Sequence, residues 1–182
     1  MENDKYVLLA VDLQRDFIDG ALGSARAQAI VPGAAARIER AKADPDCALI
    51  LYTRDTHGED YLRTQEGRKL PVPHCLRGTP GWELCEAVAR ALAGCEKALA
   101  VDKSTFGAPD LWRLIPAGVG RVEIIGLCTD ICVIANAVLL RTHLPEVEIC
   151  VDASLCAGAT EAGHETALAA MRNLQISARF AR

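Results

Sequence analysis

Apolar runs alternate along the chain with segments of helical spacing. Runs rich in valine, isoleucine and leucine predict strands at residues 6–13, 47–53, 97–102, 121–127 and 147–152, with a candidate sixth strand at 175–180. Helices are predicted at residues 34–43 (after Pro32), 82–92 (before Gly94), 109–115, 132–143 and 160–174. Strands that are apolar throughout and alternate with helices are typical of a parallel sheet covered on both faces. We therefore expect an α/β fold: a three-layer α/β/α sandwich around a central, mostly parallel sheet of about six strands.

The bulk composition is that of one globular domain. The chain has 182 residues, of which 51% are hydrophobic and 24% charged, and no linker or repeat divides it, so one domain is expected over residues 1–182. A net charge of −4 without a basic stripe argues against nucleic-acid binding. No apolar run has the length of a membrane span, and the N-terminus lacks the pattern of a signal peptide. We expect a cytoplasmic protein that does not bind membranes.

The eight cysteines are expected to be reduced thiols in that compartment. Four of them, Cys47, Cys85, Cys95 and Cys150, lie in or beside apolar segments and are interpreted as small buried hydrophobes. The chain has neither a G-x-G-x-x-G motif after its first strand nor a phosphate-loop lysine motif, so no nucleotide cofactor is expected.

Reactive side chains follow the ends of the predicted strands. In chain order they are Asp12, the pair Asp55 and His57, Lys103, the segment Cys128–Cys132, and Asp152. Because ligands bind outside the carboxyl ends of the strands in an open parallel sheet, we expect these side chains to line one cleft.

Cys132 is the candidate nucleophile of this cleft. Thr129 or Asp130 can cap the helix that carries it, so Cys132 falls in the first turn, where the helix dipole favours a thiolate. Lys103 would stabilise the thiolate further, and Asp12 could take the thiol proton during attack. The alternative is that Cys132 is one more buried core cysteine.

Cys128 is the rival nucleophile. Its backbone N–H, with that of Cys132, could instead form an oxyanion hole for a tetrahedral intermediate. A hypothesis of another class is a cysteine-rich redox or metal-binding protein, which predicts a Cys128–Cys132 disulfide on mild oxidation and no amide turnover.

A second group of residues has the composition of a metal site. Asp55 and His57, two apart on an extended segment, point the same way, and His74 could complete a three-ligand set that leaves positions open for water or substrate. Glu66 is a candidate for a fourth protein ligand. Two histidines and one aspartate suit a divalent zinc, manganese or iron ion, of which we expect zinc. The alternative is that both histidines are loop residues bonded to the backbone.

Together these residues resemble the isochorismatase-like cysteine hydrolases, and among them the nicotinamidases (pyrazinamidases), over roughly residues 6–170. The matching segments are DLQRDF with the catalytic Asp12, DTH and HCLRGT with the metal ligands Asp55, His57 and His74, VDKSTFG with Lys103, and GLCTDICV with the nucleophile Cys132. The spacing of Glu66 differs slightly from that of the family's fourth ligand. The resemblance implies a Rossmann-like sandwich and a cis peptide before Cys128, which would aim its N–H into the oxyanion hole.

The resemblance also implies a function. It is that of a metal-containing cysteine amidohydrolase, which would convert nicotinamide to nicotinate and ammonia through a thioester on Cys132, a step of NAD salvage. The family places an aromatic residue three positions before the second metal histidine, but this chain has Pro71, so Phe17 and Phe106 become the candidate ring contacts. Pro71 motivates an alternative substrate, an N-carbamoyl or ureido compound. The apolar helix faces are compatible with a homo-oligomer.

Overall fold

A single sheet of six strands organises the computed structural model, which describes residues 5–179. The strands are β1 (Tyr6–Val11), β2 (Cys47–Asp55), β3 (Ala98–Lys103), β4 (Arg121–Leu127), β5 (Glu148–Ala157) and β6 (Ser177–Arg179). Their order across the sheet is β3-β2-β1-β4-β5-β6, and every neighbouring pair is parallel. The predicted six-stranded α/β fold is confirmed, with a sheet that is parallel throughout.

Helices cover both faces of this sheet. They are α1 (Arg15–Ile18), α2 (Ala25–Ala43), α3 (Gln65–Lys69), α4 (Glu86–Leu92), α5 (Ile134–His143) and α6 (Glu161–Asn173), and a π-helical turn at Thr129–Val133 leads into α5. The apolar residues of α2 and α4 share one buried cluster, and those of α5 and α6 share the other. No helix within residues 5–179 combines the length and apolarity needed to cross a bilayer.

The central strand shows why its sequence is apolar throughout. Leu8 of β1 belongs to the same cluster as Ile38 of α2, whereas Leu9 belongs to that of Leu140 of α5. Successive side chains of a strand point to opposite faces, and both faces are covered, so all six residues of β1 are buried. Each large apolar side chain buried in this way contributes about 1.5–3 kcal/mol.

Two predicted boundaries are wrong. The helix predicted to begin after Pro32 begins at Ala25, where the Ser24 hydroxyl accepts a hydrogen bond from the Ala27 N–H (3.1 Å), and Pro32 lies inside it. Strand β5 continues to Ala157, so Asp152 lies within the strand and not at its end. The Asp152 carboxylate accepts hydrogen bonds from the N–H and the hydroxyl of Ser154. These bonds compensate for the burial of the carboxylate within the strand, so its position requires no bound metal or substrate.

Smaller differences concern two helices and one cysteine. The segment predicted as a helix at 82–92 is helical at Glu86–Leu92, and the one predicted at 109–115 is a 3₁₀ turn at Leu111–Leu114. The eight thiols are free, as expected. Of the four cysteines predicted to be buried, Cys47, Cys85 and Cys150 are buried, whereas Cys95 is partly exposed.

Candidate active site

The carboxyl ends of three strands bring Asp12, Lys103 and Cys132 together. The Lys103 Nζ lies 2.7 Å from Asp12 Oδ2 and 3.5 Å from Cys132 Sγ. The strand order explains the meeting, because Asp12 follows β1, Lys103 ends β3 and Cys132 follows β4, all at the carboxyl edge of the sheet. These residues therefore meet at one edge of the sheet, but the side chains of Asp12 and Lys103 are inaccessible to solvent.

Asp12 is held by its neighbour on β2. The Thr53 hydroxyl donates a hydrogen bond to Asp12 Oδ1 (2.6 Å), which leaves Oδ2 for Lys103. The Asp12 N–H donates to the Thr53 carbonyl oxygen (3.2 Å), and its φ of 48° turns the chain away from β1. The Thr53 hydroxyl thus holds Oδ1 in place, and Oδ2 faces the ammonium of Lys103.

The electrostatics of the cluster favour a neutral sulfur beside an ammonium. Burial, reinforced by the Asp12 charge, raises the pKa of the Cys132 thiol well above its ordinary value, although Lys103 acts against the shift. Burial also raises the pKa of Asp12, and Lys103 again opposes it. Burial acts to lower the pKa of Lys103, but Asp12, Cys132 and Asp55 outweigh it and raise the pKa. Burial therefore acts against the lowered thiol pKa that the sequence led us to expect for Cys132 and favours the neutral thiol.

The local structure around the cysteines also differs from the expected helix start. Neither Thr129 nor Asp130 caps the helix; the turn begins after Cys128 and is π-helical. The Thr129 hydroxyl pairs with His164 Nδ1 (2.8 Å), and Asp130 Oδ1 accepts a hydrogen bond from the Ala159 N–H (2.9 Å). Both side chains join this turn to the segment that begins α6.

Cys128, the rival nucleophile, lies beside Cys132 but in a different setting. The Leu127–Cys128 peptide bond is cis, as the resemblance implies. Burial, with the charges of Asp130 and Asp12, raises the pKa of the Cys128 thiol to about 12. The hydrogen bond from Lys103 reaches Cys132, which favours Cys132 as the reacting sulfur.

The four candidate metal ligands converge next to this cluster. One ligand atom each from Asp55, His57, Glu66 and His74 lies within 4.8 Å of the others. Asp55 Oδ2 is 2.9 Å from His57 Nε2 and 3.5 Å from His74 Nε2, and Glu66 Oε1 is 3.8 Å from each of these nitrogens. Two imidazoles and two carboxylates are the donors of a catalytic zinc site, so the residues fit a divalent metal.

Neighbouring groups orient these ligands. His74 Nδ1 pairs with the Val72 carbonyl (2.8 Å), which leaves Nε2 facing Asp55 and Glu66. Asp55 connects the two halves of the site, since its Oδ1 is 3.1 Å from Lys103 Nζ while Oδ2 faces the histidines. Burial would raise the pKa of Asp55, but hydrogen bonds from the histidines and the charge of Lys103 lower it, so Asp55 is a carboxylate.

A cavity of about 360 Å³ joins the thiol to the metal ligands. Asp55, Glu66 and His74 line one part of it and Cys128 and Cys132 another, and its apolar wall contains Phe17, Leu22, Leu70, Phe106 and Ile131. Both phenylalanines predicted as ring contacts therefore face the cavity, Phe17 nearly buried and Phe106 47% exposed. Among the described residues that line the cavity there is no lysine or arginine.

Two buried amides were not singled out by the sequence analysis. Asn136 accepts a hydrogen bond from the Ala108 N–H (2.9 Å) and donates one to the Cys132 carbonyl (2.8 Å), so it holds the main chain of the candidate nucleophile. Gln14 holds the main chain of Asp55 in the same manner. The available signal was an uncharged polar residue in an apolar segment: Asn136 lies one helical turn after Cys132.

Comparison with known proteins places the chain in a family. The isochorismatase domain model matches residues 6–181. The chain is 33% identical over 148 residues to nicotinamidase/pyrazinamidase of Mycobacterium tuberculosis. This alignment covers 69% of this chain and 73% of that protein. The chain also superposes on the pyrazinamidase/nicotinamidase of Streptococcus mutans with a TM-score of 0.83 and 28% identity, over 96% of this chain and 100% of that one.

A further solved structure shares this architecture. The pyrazinamidase of Pyrococcus horikoshii, solved in complex with zinc, superposes with a TM-score of 0.81 and 28% identity, over 97% of this chain and 99% of that one. The family model spans almost the whole chain, and so do the two structural superpositions. The chain therefore belongs to the isochorismatase family, within which it is similar to the nicotinamidases/pyrazinamidases.

Proposed function

We propose that the chain is a nicotinamidase-like amidohydrolase that splits a small neutral aromatic amide, nicotinamide in the first instance, into acid and ammonia. The observation that carries the proposal is the meeting of a carboxylate, an ammonium and a thiol, at 2.7 Å and 3.5 Å from Lys103 Nζ, beside four metal-ligating side chains. The similarity to the M. tuberculosis nicotinamidase/pyrazinamidase supports the same reaction.

The first half of the reaction forms a tetrahedral intermediate on Cys132. Cys132 Sγ attacks the amide carbon while its proton passes to Asp12, and the carbonyl oxygen becomes an oxyanion. The backbone N–H groups of Cys128 and Cys132 are the proposed oxyanion donors, each worth about 3 kcal/mol to the transition state. Lys103 remains protonated and stabilises the negative charge on whichever of Asp12 and Cys132 has lost its proton.

The second half releases ammonia and regenerates the thiol. The proton on Asp12 passes to the leaving nitrogen, the oxyanion collapses as the C–N bond breaks, and ammonia departs, which leaves the thioester on Cys132. A water molecule then attacks the thioester, with Asp12 as its base, and the proton returns to the departing sulfur. The acid leaves, and Asp12, Lys103 and Cys132 are in their starting states.

Asp55, His57, Glu66 and His74 would hold the metal. Zinc is the proposed ion, because the donor set suits it and the similar Pyrococcus horikoshii pyrazinamidase was solved in complex with zinc. When bound, the ion supplies a positive charge at one end of the cavity, which attracts a lone pair of the substrate and so orients its amide toward Cys132.

The cavity distinguishes the two candidate substrate classes. Its volume of about 360 Å³ suits a small molecule, and its wall is mostly apolar. An N-carbamoyl amino acid carries a carboxylate, and the described wall offers it no cationic side chain, so the carboxylate could pair only with the metal, in place of the substrate atom that the metal is proposed to orient. A neutral aromatic amide leaves no such charge.

Ammonia release from nicotinamide and from N-carbamoyl amino acids tests this proposal. Cys132→Ala should abolish release and keep the metal, whereas Cys47→Ala, at the opposite end of β2, should retain turnover. Chelation should remove activity and added zinc should restore it. Wild-type turnover by Cys132→Ala would refute the nucleophile, and faster release from the carbamoyl compounds would refute the substrate class. Loss of the metal on thiol alkylation would favour the redox or thiol-metal hypothesis.

A further inference from the structure

Gln14 replaces a strand partner at the end of β2. Strand β1 ends at Val11, so its main chain no longer pairs with β2 at Asp55. There the Gln14 side chain, which is fully buried, accepts a hydrogen bond from the Asp55 N–H (2.7 Å) and donates one to the Asp55 carbonyl (2.8 Å). Its amide nitrogen also donates to the Trp82 carbonyl (2.8 Å). A side-chain amide has the donor and the acceptor of a peptide group. The Gln14 side chain therefore takes the place of a β1 peptide group and continues the hydrogen bonding of β2 to Asp55.

Asp16 does the same for the second metal-ligand loop. Its Oδ2 accepts a hydrogen bond from the N–H of Cys75 (2.7 Å), the residue after His74. Its Oδ1 accepts one from the Ala21 N–H (3.2 Å). Cys75 has a φ of 46°, a conformation that is rare outside glycine and needs support from its surroundings. The Asp16 carboxylate supplies that support and fixes the main chain beside the His74 ligand.

We propose that Gln14 and Asp16 are positioning residues of the metal centre. Through the main chain they hold Asp55 and His74 in place, so that the ligand set is formed before the metal binds. The inference rests on the proposed function, and specifically on its metal site. A ligand set held in advance loses less conformational freedom on binding, and removing such support typically weakens metal affinity about 10- to 100-fold.

Asn136 provides a matched control. It is a buried amide with the same bonding pattern, but it holds the Cys132 carbonyl and not a metal ligand. We expect Gln14→Leu to weaken zinc affinity about 10- to 100-fold and Asn136→Leu to leave it within about threefold of wild type. Asn136→Leu should instead lower kcat, because the nucleophile is no longer fixed.

The measurement is zinc affinity, by competition between the zinc-loaded protein and a chromophoric chelator, with circular dichroism to show that each variant is folded. A zinc affinity of Gln14→Leu within about threefold of wild type would overturn the inference. Equal losses of zinc affinity in Gln14→Leu and Asn136→Leu would also overturn it, because they would indicate a general loosening of the fold. If Gln14→Leu does not fold, Asp16→Ala, which removes both acceptor oxygens, decides by the same criterion. A wild-type chain that retains no divalent metal would overturn the metal site itself, and the inference with it.

Discussion

Lys103 and Asp12 offer a direct test of the cluster, because both charges are fully buried and close together. The perturbation is a double-mutant cycle of Lys103→Met and Asp12→Asn. Lys103→Met leaves the Asp12 charge buried without a cation, whereas Asp12→Asn leaves Lys103 with Asp55, whose Oδ1 is 3.1 Å from Nζ. The lysine variant should therefore be the less stable of the two.

The structure sets the magnitudes. At 2.7 Å and an effective dielectric constant of about 20, the attraction between Nζ and Asp12 Oδ2 is about 6 kcal/mol, and the desolvation of both charges cancels part of it. Breaking a buried pair from one side costs about 3–5 kcal/mol, which is the expected loss for Lys103→Met. Asp12→Asn should cost about 1–3 kcal/mol. The double variant removes both charges, so its cost should be at least about 2 kcal/mol below the sum of the single losses.

The assay is urea unfolding of all four proteins at one fixed zinc concentration, because bound metal adds to stability. A matched control is the pair Arg54 and Asp102, one position earlier in the β2–β3 register, joined at 2.8 Å but partly exposed. Its coupling, from Arg54→Met and Asp102→Asn, should be below about 1 kcal/mol. Losses for Lys103→Met and Asp12→Asn that add within about 0.5 kcal/mol would refute the buried pair.

Three further predictions concern the backbone, the cavity wall and the metal. Gly126→Ala should lower the free energy of unfolding by at least about 3 kcal/mol, because φ is 119° and the new Cβ would lie 2.1 Å from the Val11 carbonyl oxygen. Gly94→Ala should lower the free energy of unfolding by only about 1–2 kcal/mol, because φ is 66° but the new Cβ would meet no atom within 4 Å. Equal losses for the two variants in urea unfolding would contradict this comparison. Phe106→Ala should raise KM about fivefold with little change in Tm, and an unchanged KM would remove Phe106 from the substrate site. Zinc at 100 times its Kd should add about 2.7 kcal/mol to the unfolding free energy, and a shift of that size in His74→Ala would contradict the ligand assignment.

The sheet could be predicted because strands buried on both faces produce continuous apolar runs in the sequence. Each strand of this kind must be apolar throughout, and the intervening helices show their own spacing. The boundaries could not be predicted as well, because single residues carry opposing signals. Pro32 is typical of a helix start, but the Ser24 cap and the apolar face of α2 extend the helix before it. Asp152 resembles a strand end, but its bonds to Ser154 satisfy it within β5.

The residue types of the site could be predicted, but not the direction in which the pKa of the Cys132 thiol is shifted. Parallel strands bring their carboxyl ends to one edge, so Asp12, Lys103 and Cys132 could be expected to meet. The pKa of a thiol depends on how completely water is excluded, and burial of Cys132 outweighs the ammonium 3.5 Å away. Sequence position gives the neighbouring charge and not the depth of burial, so the sequence led us to expect a lowered thiol pKa.

The DLQRDF segment shows why the supporting residues are harder to find than the reactive ones. Asp12, Gln14 and Asp16 alternate along it, and each binds a different part of the site: Lys103, the main chain of Asp55, and the main chain of Cys75. A reactive residue is recognised by its own chemistry, whereas Gln14 and Asp16 act on peptide groups, which every residue possesses. The path of the chain therefore decides which peptide groups they bind, and the sequence around Asp55 and Cys75 carries no pattern that would reveal these contacts. One segment therefore contacts both the catalytic cluster and the main chain of the metal ligands, and metal affinity is the property in which the support from Gln14 and Asp16 should be measured.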